Sequence, residues 1–358
     1  MKTTNKKSFK KAGKVTANSI TKSIQEKVTA SIIKCLEGGI VPWRREYQSE
    51  LGLAKSFDGK IYRGINQWIC YASMMMGKFK TNTWITYRKC ASEGGQVLKG
   101  SKGTAIVFWN FIFKCDKDCT ACDGKSSKTR KCDCQRKIGF LKTFTVFNIC
   151  QTSLYDPKKV VKEPKVEVPV NTEIAETLIG NWTSECPIKY GYDNTASPFY
   201  SPSSDFINVP FGDGVEWVND EALHKTTFHE IIHSTGHKSR CARDGVTGMN
   251  FFGSHEYSKE ELVAEMGSQI LADICGFKQD HLENTSAYIG SWLKALKNNH
   301  DWLIWASSRA EAGVDMVIEH SQKMESCEGC GGTGEQQLQD EDNEPEIAPC
   351  DFCAGGSE

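Results

Sequence analysis

His229, Glu230 and His233 stand in the order H-E-x-x-H within Phe-His-Glu-Ile-Ile-His-Ser-Thr-Gly-His, residues 228 to 237. Residues four apart lie one above the other on a helix. The two imidazoles can therefore aim ring nitrogens at one ion while Glu230 stands beside them. A catalytic zinc takes three protein ligands and leaves a fourth position for water, whose pKa falls from about 15.7 to about 7. Glu230 is placed to take that water's proton.

The third ligand must come from elsewhere in the chain. His237 follows Gly236, which reads as the stop of the helix, so the chain is already turning away there. The third histidine of a metzincin would fall at position 239, which is Ser239. Residues 258 to 274 form a second helical pattern, opened by Ser258 and with Glu261 at the capping-box position. Glu261 and Glu265 are four apart and share a face. Glu261 is read as the ligand and Glu265 as the outer carboxylate that orients a ligand histidine, with Glu260 and Glu265 as alternatives for either role. Tyr200, Tyr257 and His255 are candidates for stabilising a developing oxyanion.

Nine of the sixteen cysteines fall into two clusters with metal-ligand spacing. Cys115, Cys119, Cys122, Cys132 and Cys134 offer five thiols for the four places of a structural zinc. In the tail, Cys327, Cys330, Cys350 and Cys353 form two C-x2-C knuckles, a four-thiolate pattern that resembles the zinc repeats of DnaJ-type chaperones. One catalytic and up to two structural Zn2+ ions are thus expected. The other seven cysteines are scattered like buried thiols, which fits a reducing compartment. The lysine-rich amino terminus has no apolar run like that of a signal peptide, and no stretch is apolar enough to span a membrane, so a bacterial cytoplasm is the expected location.

The net charge of -1 hides a division. Residues 1 to 160 carry 31 Lys and Arg against 11 Asp and Glu, a net +20, and the remainder carries a net -21. A front half of this kind attracts a polyanion. Aromatics interleaved with cations suit single-stranded nucleic acid, where bases stack on rings. On this pattern Trp43, Arg44, Arg45, Arg63, Asn66, Trp84, Tyr87, Lys99 and Lys102 are the candidate contacts; Trp43 is equally well placed as core.

Elements to position these residues can be read in order. Residues 1 to 18 form a disordered basic arm, with six lysines and no acid. Ile20, Ile24, Val28, Ile32 and Ile33 predict an amphipathic helix that Gly38 and Gly39 end. An apolar helix runs through Met76, and another opens at Trp84. Strands over 104–113 and 140–149 pair antiparallel around the cysteine-rich insertion at 115–134. The fold class is α+β: a helix-plus-antiparallel-sheet domain over 19–155, a linker over 156–171, a mainly helical domain over 172–320, and an acidic tail over 321–358. Strands within 197–210 flank the metal helix, and helices over 287–296 and 302–317 close the core.

Several motifs in succession carry a resemblance. They are Tyr62-Arg63-Gly64-Ile65-Asn66, Trp84-x-Thr86, the glycine- and lysine-rich run 94–103, Phe144-x-Val146-Phe147-Asn148, Phe199-Tyr200-Ser201-Pro202-Ser203-x-Asp205-x-Ile207, the His229–His237 motif, and Glu260-Glu261-Leu262-Val263-Ala264-Glu265. Over residues 20 to 310 the chain resembles the ArdC-type antirestriction proteins. The resemblance implies a domain that binds single-stranded DNA, followed by a zincin-like metallopeptidase domain, carried by plasmids and phages to shield incoming DNA from restriction. The knuckle at 115–134 and the tail after 320 depart from that pattern. Two readings follow: a DNA-tethered peptidase that cuts a host protein, or a DNA-coating factor whose zinc domain is structural or binds a partner.

Overall fold

A computed structural model describes residues 17–43, 53–115, 128–129, 133–156, 171–248, 255–277, 286–325, 335–339 and 345–349. Helix α1 (Ala17–Glu37) buries Ile24, Val28, Ile32 and Leu36 along one face, and the turn at Gly38–Gly39 returns N–H groups to the carbonyls of its last residues. Strand β1 (Lys55–Ser56) leads through a turn to helix α2 (Ile65–Gly77). Nine of the residues of α2 are buried because it is enclosed between the sheet and other helices. Strand β2 (Thr83–Thr86) and helix α3 (Tyr87–Ser92) follow. The helix expected from Trp84 starts three residues later, since Trp84 and Ile85 pair with β4 and the Thr86 hydroxyl accepts the Lys89 N–H as N-cap.

Strands β3 (Thr104–Cys115) and β4 (Gln135–Asn148) form an antiparallel ribbon paired without interruption from Thr104↔Val146 to Cys115↔Gln135. It extends well past the 104–113 and 140–149 boundaries expected from composition. The sheet order is β1-β2-β4-β3, with β1 parallel to β2 and the rest antiparallel.

The carboxyl-terminal half begins with helix α4 (Thr172–Trp182) and a small sheet of β5 (Ile188–Tyr190), β6 (Phe199–Ser201) and β7 (Phe206–Val209), in the order β5-β7-β6. Helices α5 (Asp220–Ser234), α6 (Asp244–Thr247), α7 (His255–Ile274), α8 (Ser286–Asn298) and α9 (Trp302–Glu325) complete it. Helix α7 starts at His255, so Ser258 lies inside its first turns rather than opening it. The segment between the tail knuckles carries an antiparallel pair, β8 (Glu335–Gln339) and β9 (Pro345–Pro349). Cys327, Cys330, Cys350 and Cys353 lie outside the described residues, as does the linker over 157–170.

The two halves share one apolar core. Residues of α1 and α2 belong to the same buried cluster as α4, α5, α7, α8 and α9. Trp43 meets Trp292 of α8 edge to face with ring centroids 5.8 Å apart, and the Thr29 hydroxyl donates to the His300 carbonyl at 2.7 Å. Among the described residues no helix is long and apolar enough to cross a membrane.

Candidate metal centre

Helix α5 presents the H-E-x-x-H residues as the spacing requires. Its N-cap is Asn219, whose side chain accepts the Ala222 N–H at 2.8 Å, and Asp220 and Glu221 in the first turn complement the helix dipole. Phe228, Ile231 and Ile232 are fully buried on the inner side, which fixes the rotation of the helix and turns His229 and His233 toward α7. The two helices approach closely at Gly267 of α7, where a Cβ would stand 2.8 Å from Ile232.

Three side chains converge there. Nε2 of His229 and Nε2 of His233 are 3.1 Å apart, His229 Nε2 is 3.4 Å from Glu261 Oε2, and His233 Nε2 is 3.5 Å from Glu261 Oε1. Among the described residues this is the one group of three or more such side chains close enough to hold an ion. A tetrahedral zinc with nitrogen and oxygen ligands at about 2.0–2.1 Å has ligand-to-ligand edges of about 3.3 Å. The spacing of the three donors matches those edges, so this donor set fits a divalent metal.

The charges around the donors agree. Burial opposes a charged imidazolium at His233, but Glu260, Glu261 and Glu230 outweigh it and push its pKa up to about 10. Burial raises the Glu261 carboxyl in turn, and the two histidines more than reverse this, holding it well below the usual carboxylate range. The field of the site is thus that of a cation receptor. Glu230 is buried beside the donors and near enough to His233 and Tyr257 to act on their charge.

Behind the donors is a charged network that the sequence did not reveal. His233 Nδ1 lies 3.4 Å from Glu260 Oε1, so the outer carboxylate at this histidine is Glu260 and not Glu265. Glu265 lies one turn beyond Glu261 on α7, half-buried. Glu260 is gripped by Arg243, whose Nε reaches both carboxylate oxygens at 3.1 and 3.0 Å and whose Nη2 reaches Oε1 at 2.6 Å. Arg243 also donates to the Ile232 carbonyl at 2.6 Å and to the Thr235 hydroxyl at 2.8 Å, and Arg240 donates to the Ser234 carbonyl at 2.8 Å. Two arginines thereby join the Gly236 and His237 N–H groups in donating to the carbonyls at the end of this helix. Gly236 makes the room: a Cβ there would stand 2.8 Å from Arg243 Nη2 and 2.5 Å from Val246. Thr235 and Gly236 after His233 are therefore part of the socket for Arg243, while the Ser234 hydroxyl accepts from the Trp182 indole N–H.

The other candidates are placed as follows. His237 turns away to Ser239 and Asp205 and takes no part in the cluster. Tyr200 donates its hydroxyl to Asp205 at 2.8 Å, within a network closed by Arg240. His255 is held between Glu256 and Asn299. Tyr257 is the one of the three proposed oxyanion donors that reaches the site, hydrogen-bonded to Glu261; burial, then that carboxylate, raises its pKa.

Four of the nine nucleic-acid candidates are engaged within the fold. Trp43 and Trp84 are fully buried, and the Trp84 indole N–H is bonded to Asn82. Asn66 is buried and pairs through both amide atoms with the Val107 backbone at 2.8 Å, pinning β3 to α2. Arg63, in the turn before α2, is paired with Glu311 and Asp315 of α9. Tyr87, Lys99 and Lys102 are exposed, and Arg44 and Arg45 lie outside the described residues. Of the insertion cysteines, Cys115 and Cys134 come together with Sγ atoms 3.1 Å apart, while Cys119, Cys122 and Cys132 lie outside the described residues.

Residues 174–309 match a zincin-like metallopeptidase domain, and residues 22–147 match the N-terminal domain of the anti-restriction factor ArdC. The class is thus a zincin-like domain joined to an ArdC-type amino-terminal domain. The chain is 32% identical over 353 residues to the DNA primase TraC of Escherichia coli, covering 93% of this chain and 31% of that protein. It therefore spans about a third of the length of that relative. It is 28% identical over 311 residues to the protein y4eC of Sinorhizobium fredii, covering 85% of this chain and 93% of that one. The crystal structure of antirestriction protein ArdC from the R388 plasmid superposes in its metal-free form with a TM-score of 0.62 at 26% identity, over 84% of this chain and 98% of that one. The Mn(II)-bound form gives 0.61 at 25% identity, over 83% and 98%. With both domains in the same order, the chain belongs to the ArdC-type antirestriction proteins.

Proposed function

We propose that this protein binds single-stranded DNA through its amino-terminal half and hydrolyses peptide bonds of a host protein at the metal centre, protecting incoming plasmid or phage DNA in a bacterial cytoplasm. The observation that supports hydrolysis most is the placement of Glu230 beside the convergent donors His229, His233 and Glu261. A metal held for structure alone has no use for a buried carboxylate at an open ligand position. When bound, zinc polarises a carbonyl and lowers the pKa of water. Glu230 takes the proton of the attacking water, Glu260 and Arg243 fix the orientation of His233, and Tyr257 donates toward the developing oxyanion. Two further zinc ions are assigned to the cysteine groups at 115–134 and 327–353, giving three per chain. The net +20 of residues 1 to 160 supports the polyanion as partner.

The test compares the proteomes of cells expressing the protein and its Glu230→Gln variant. The variant is expected to retain its metal and to lose about 10²- to 10⁴-fold of the cleavage rate, the usual worth of a positioned general base. Identical proteomes, with both forms equally protective of incoming DNA, would establish the DNA-coating reading instead.

A further inference from the structure

Past the shared core, the β3–β4 ribbon carries an unusual surface. Val107 and Leu141 are the last of its residues packed into that core. Phe108, Trp109 and Phe111, which follow Val107 on β3, are 41%, 50% and 45% exposed, and Phe144 on β4, opposite Ile106, is 42% exposed. Register sorts them onto two faces. Phe108 and Phe144 share one, with ring centroids 5.3 Å apart, edge to face. Trp109 and Phe111 share the other, and the residue opposite Phe111 is Gly139, which places no side chain over the ring.

Each face pairs a ring with a cation. The Lys137 ammonium stands 4.1 Å from the Phe111 centroid and that of Lys142 stands 5.3 Å from Phe144. The two strands hold Lys114, Arg136, Lys137 and Lys142 and no acidic residue. A groove of about 570 Å³ runs between the ribbon and Ile24 of α1, lined by Phe111, Leu141, Lys142 and Lys128 among others. This lies within the range of about 300–1,000 Å³ typical of small-ligand pockets.

We propose that the ribbon face bearing Trp109 and Phe111 is the platform on which single-stranded DNA lies, with bases against these two rings and phosphate held by Lys137. The proposal rests on the reading of the amino-terminal half as a single-strand binder and names its contact surface. Charge complementarity selects the occupant. A protein partner's interface core is depleted of lysine, whereas here every exposed ring cluster carries one. Spacing selects the form. Residues on one face of a strand recur at about 6.8 Å, twice the rise of about 3.4 Å per residue. That is also twice the roughly 3.4 Å per nucleotide of a stacked duplex strand, so rings at this interval suit unstacked bases. The assignment replaces Trp43, Trp84, Asn66 and Arg63, which the fold consumes.

The experiment titrates a fluorescent oligo-dT with the full-length protein and two double variants, with thermal melting to confirm folding. Trp109→Ala/Phe111→Ala is expected to weaken binding by about 5- to 150-fold per lost stack. Tyr192→Ala/Phe211→Ala removes two comparably exposed rings from the acidic half, and its affinity is expected to be that of wild type. Lys137→Ala should reduce the slope of log affinity against log salt by about 0.7. Bromodeoxyuridine cross-links are expected to map to 104–115 and 135–148. If the wild type binds and the ribbon variant binds as tightly, or if cross-links fall only elsewhere, the platform is wrong while the single-strand reading stands. If the wild type does not bind oligo-dT at all, both fall.

Discussion

The metal centre and the β3–β4 ribbon depart from the usual partition of side chains in opposite directions. Behind the metal donors, Glu260 and Arg243 are charged and almost without solvent contact; on the ribbon, four large aromatic rings stand in water. Buried charges are rare unless paired, and clustered exposed rings are rare without a ligand. Chemistry needs atoms held at fixed positions, which the Arg243–Glu260–His233 chain supplies from within. Recognition of a flexible polymer needs accessible surface, which the ribbon supplies by running past the core.

The contrast predicts opposite responses to mutation. Arg243→Met leaves the buried Glu260 with His233 as its remaining charged partner, and a loss of about 3–5 kcal/mol is expected in denaturant unfolding. Trp84→Ala should cost a similar amount, about 3–5 kcal/mol, through the cavity it leaves. Trp109→Ala, by contrast, should leave stability within about 0.5 kcal/mol while weakening DNA binding. Were Trp84→Ala harmless to stability and Trp109→Ala disruptive, the assignment of core and platform would be reversed.

A finer test separates the structural from the positioning role of the buried pair. Replacing both partners, as Arg243→Met/Glu260→Leu, should recover much of the lost stability, since matched apolar groups often substitute well for a buried ion pair. The metal affinity should nevertheless fall about 10- to 100-fold, because His233 has lost its orienting carboxylate. Wild-type affinity in a stable double variant would show that Glu260 serves the fold alone. The smallest effect belongs to Arg63→Ala. Its side chain is 60% exposed and screened by solvent, so despite two carboxylate partners the expected loss is within about 1 kcal/mol.

The convergence of His229, His233 and Glu261 was legible because helical spacing alone sets His229 against His233, and a second helix with Glu261 on one face had to lie nearby. Arg243 was hidden because its partner Glu260 is brought to it by a turn through α6, which leaves no periodic trace. The same limit put buried residues among the candidate DNA contacts. Residue type says that Trp84 and Trp109 are aromatic, but the pairing of β2 with β4 buries one and the overrun of β3 beyond α1 exposes the other. Asn66 and Arg63 looked like polar readers and are instead bonded within the fold. The start of α7 was set too late because the helix continues back through Tyr257 to His255, with Ser258 inside it.

The central claim is that His229, His233 and Glu261 hold the catalytic ion. Metal content per chain, measured by plasma emission on purified wild type and on the His229→Ala, Glu261→Ala and Glu265→Ala variants, tests it most directly. The account predicts one ion fewer in the first two variants and wild-type content in the third. Loss of the ion from Glu265→Ala with retention in Glu261→Ala would contradict it.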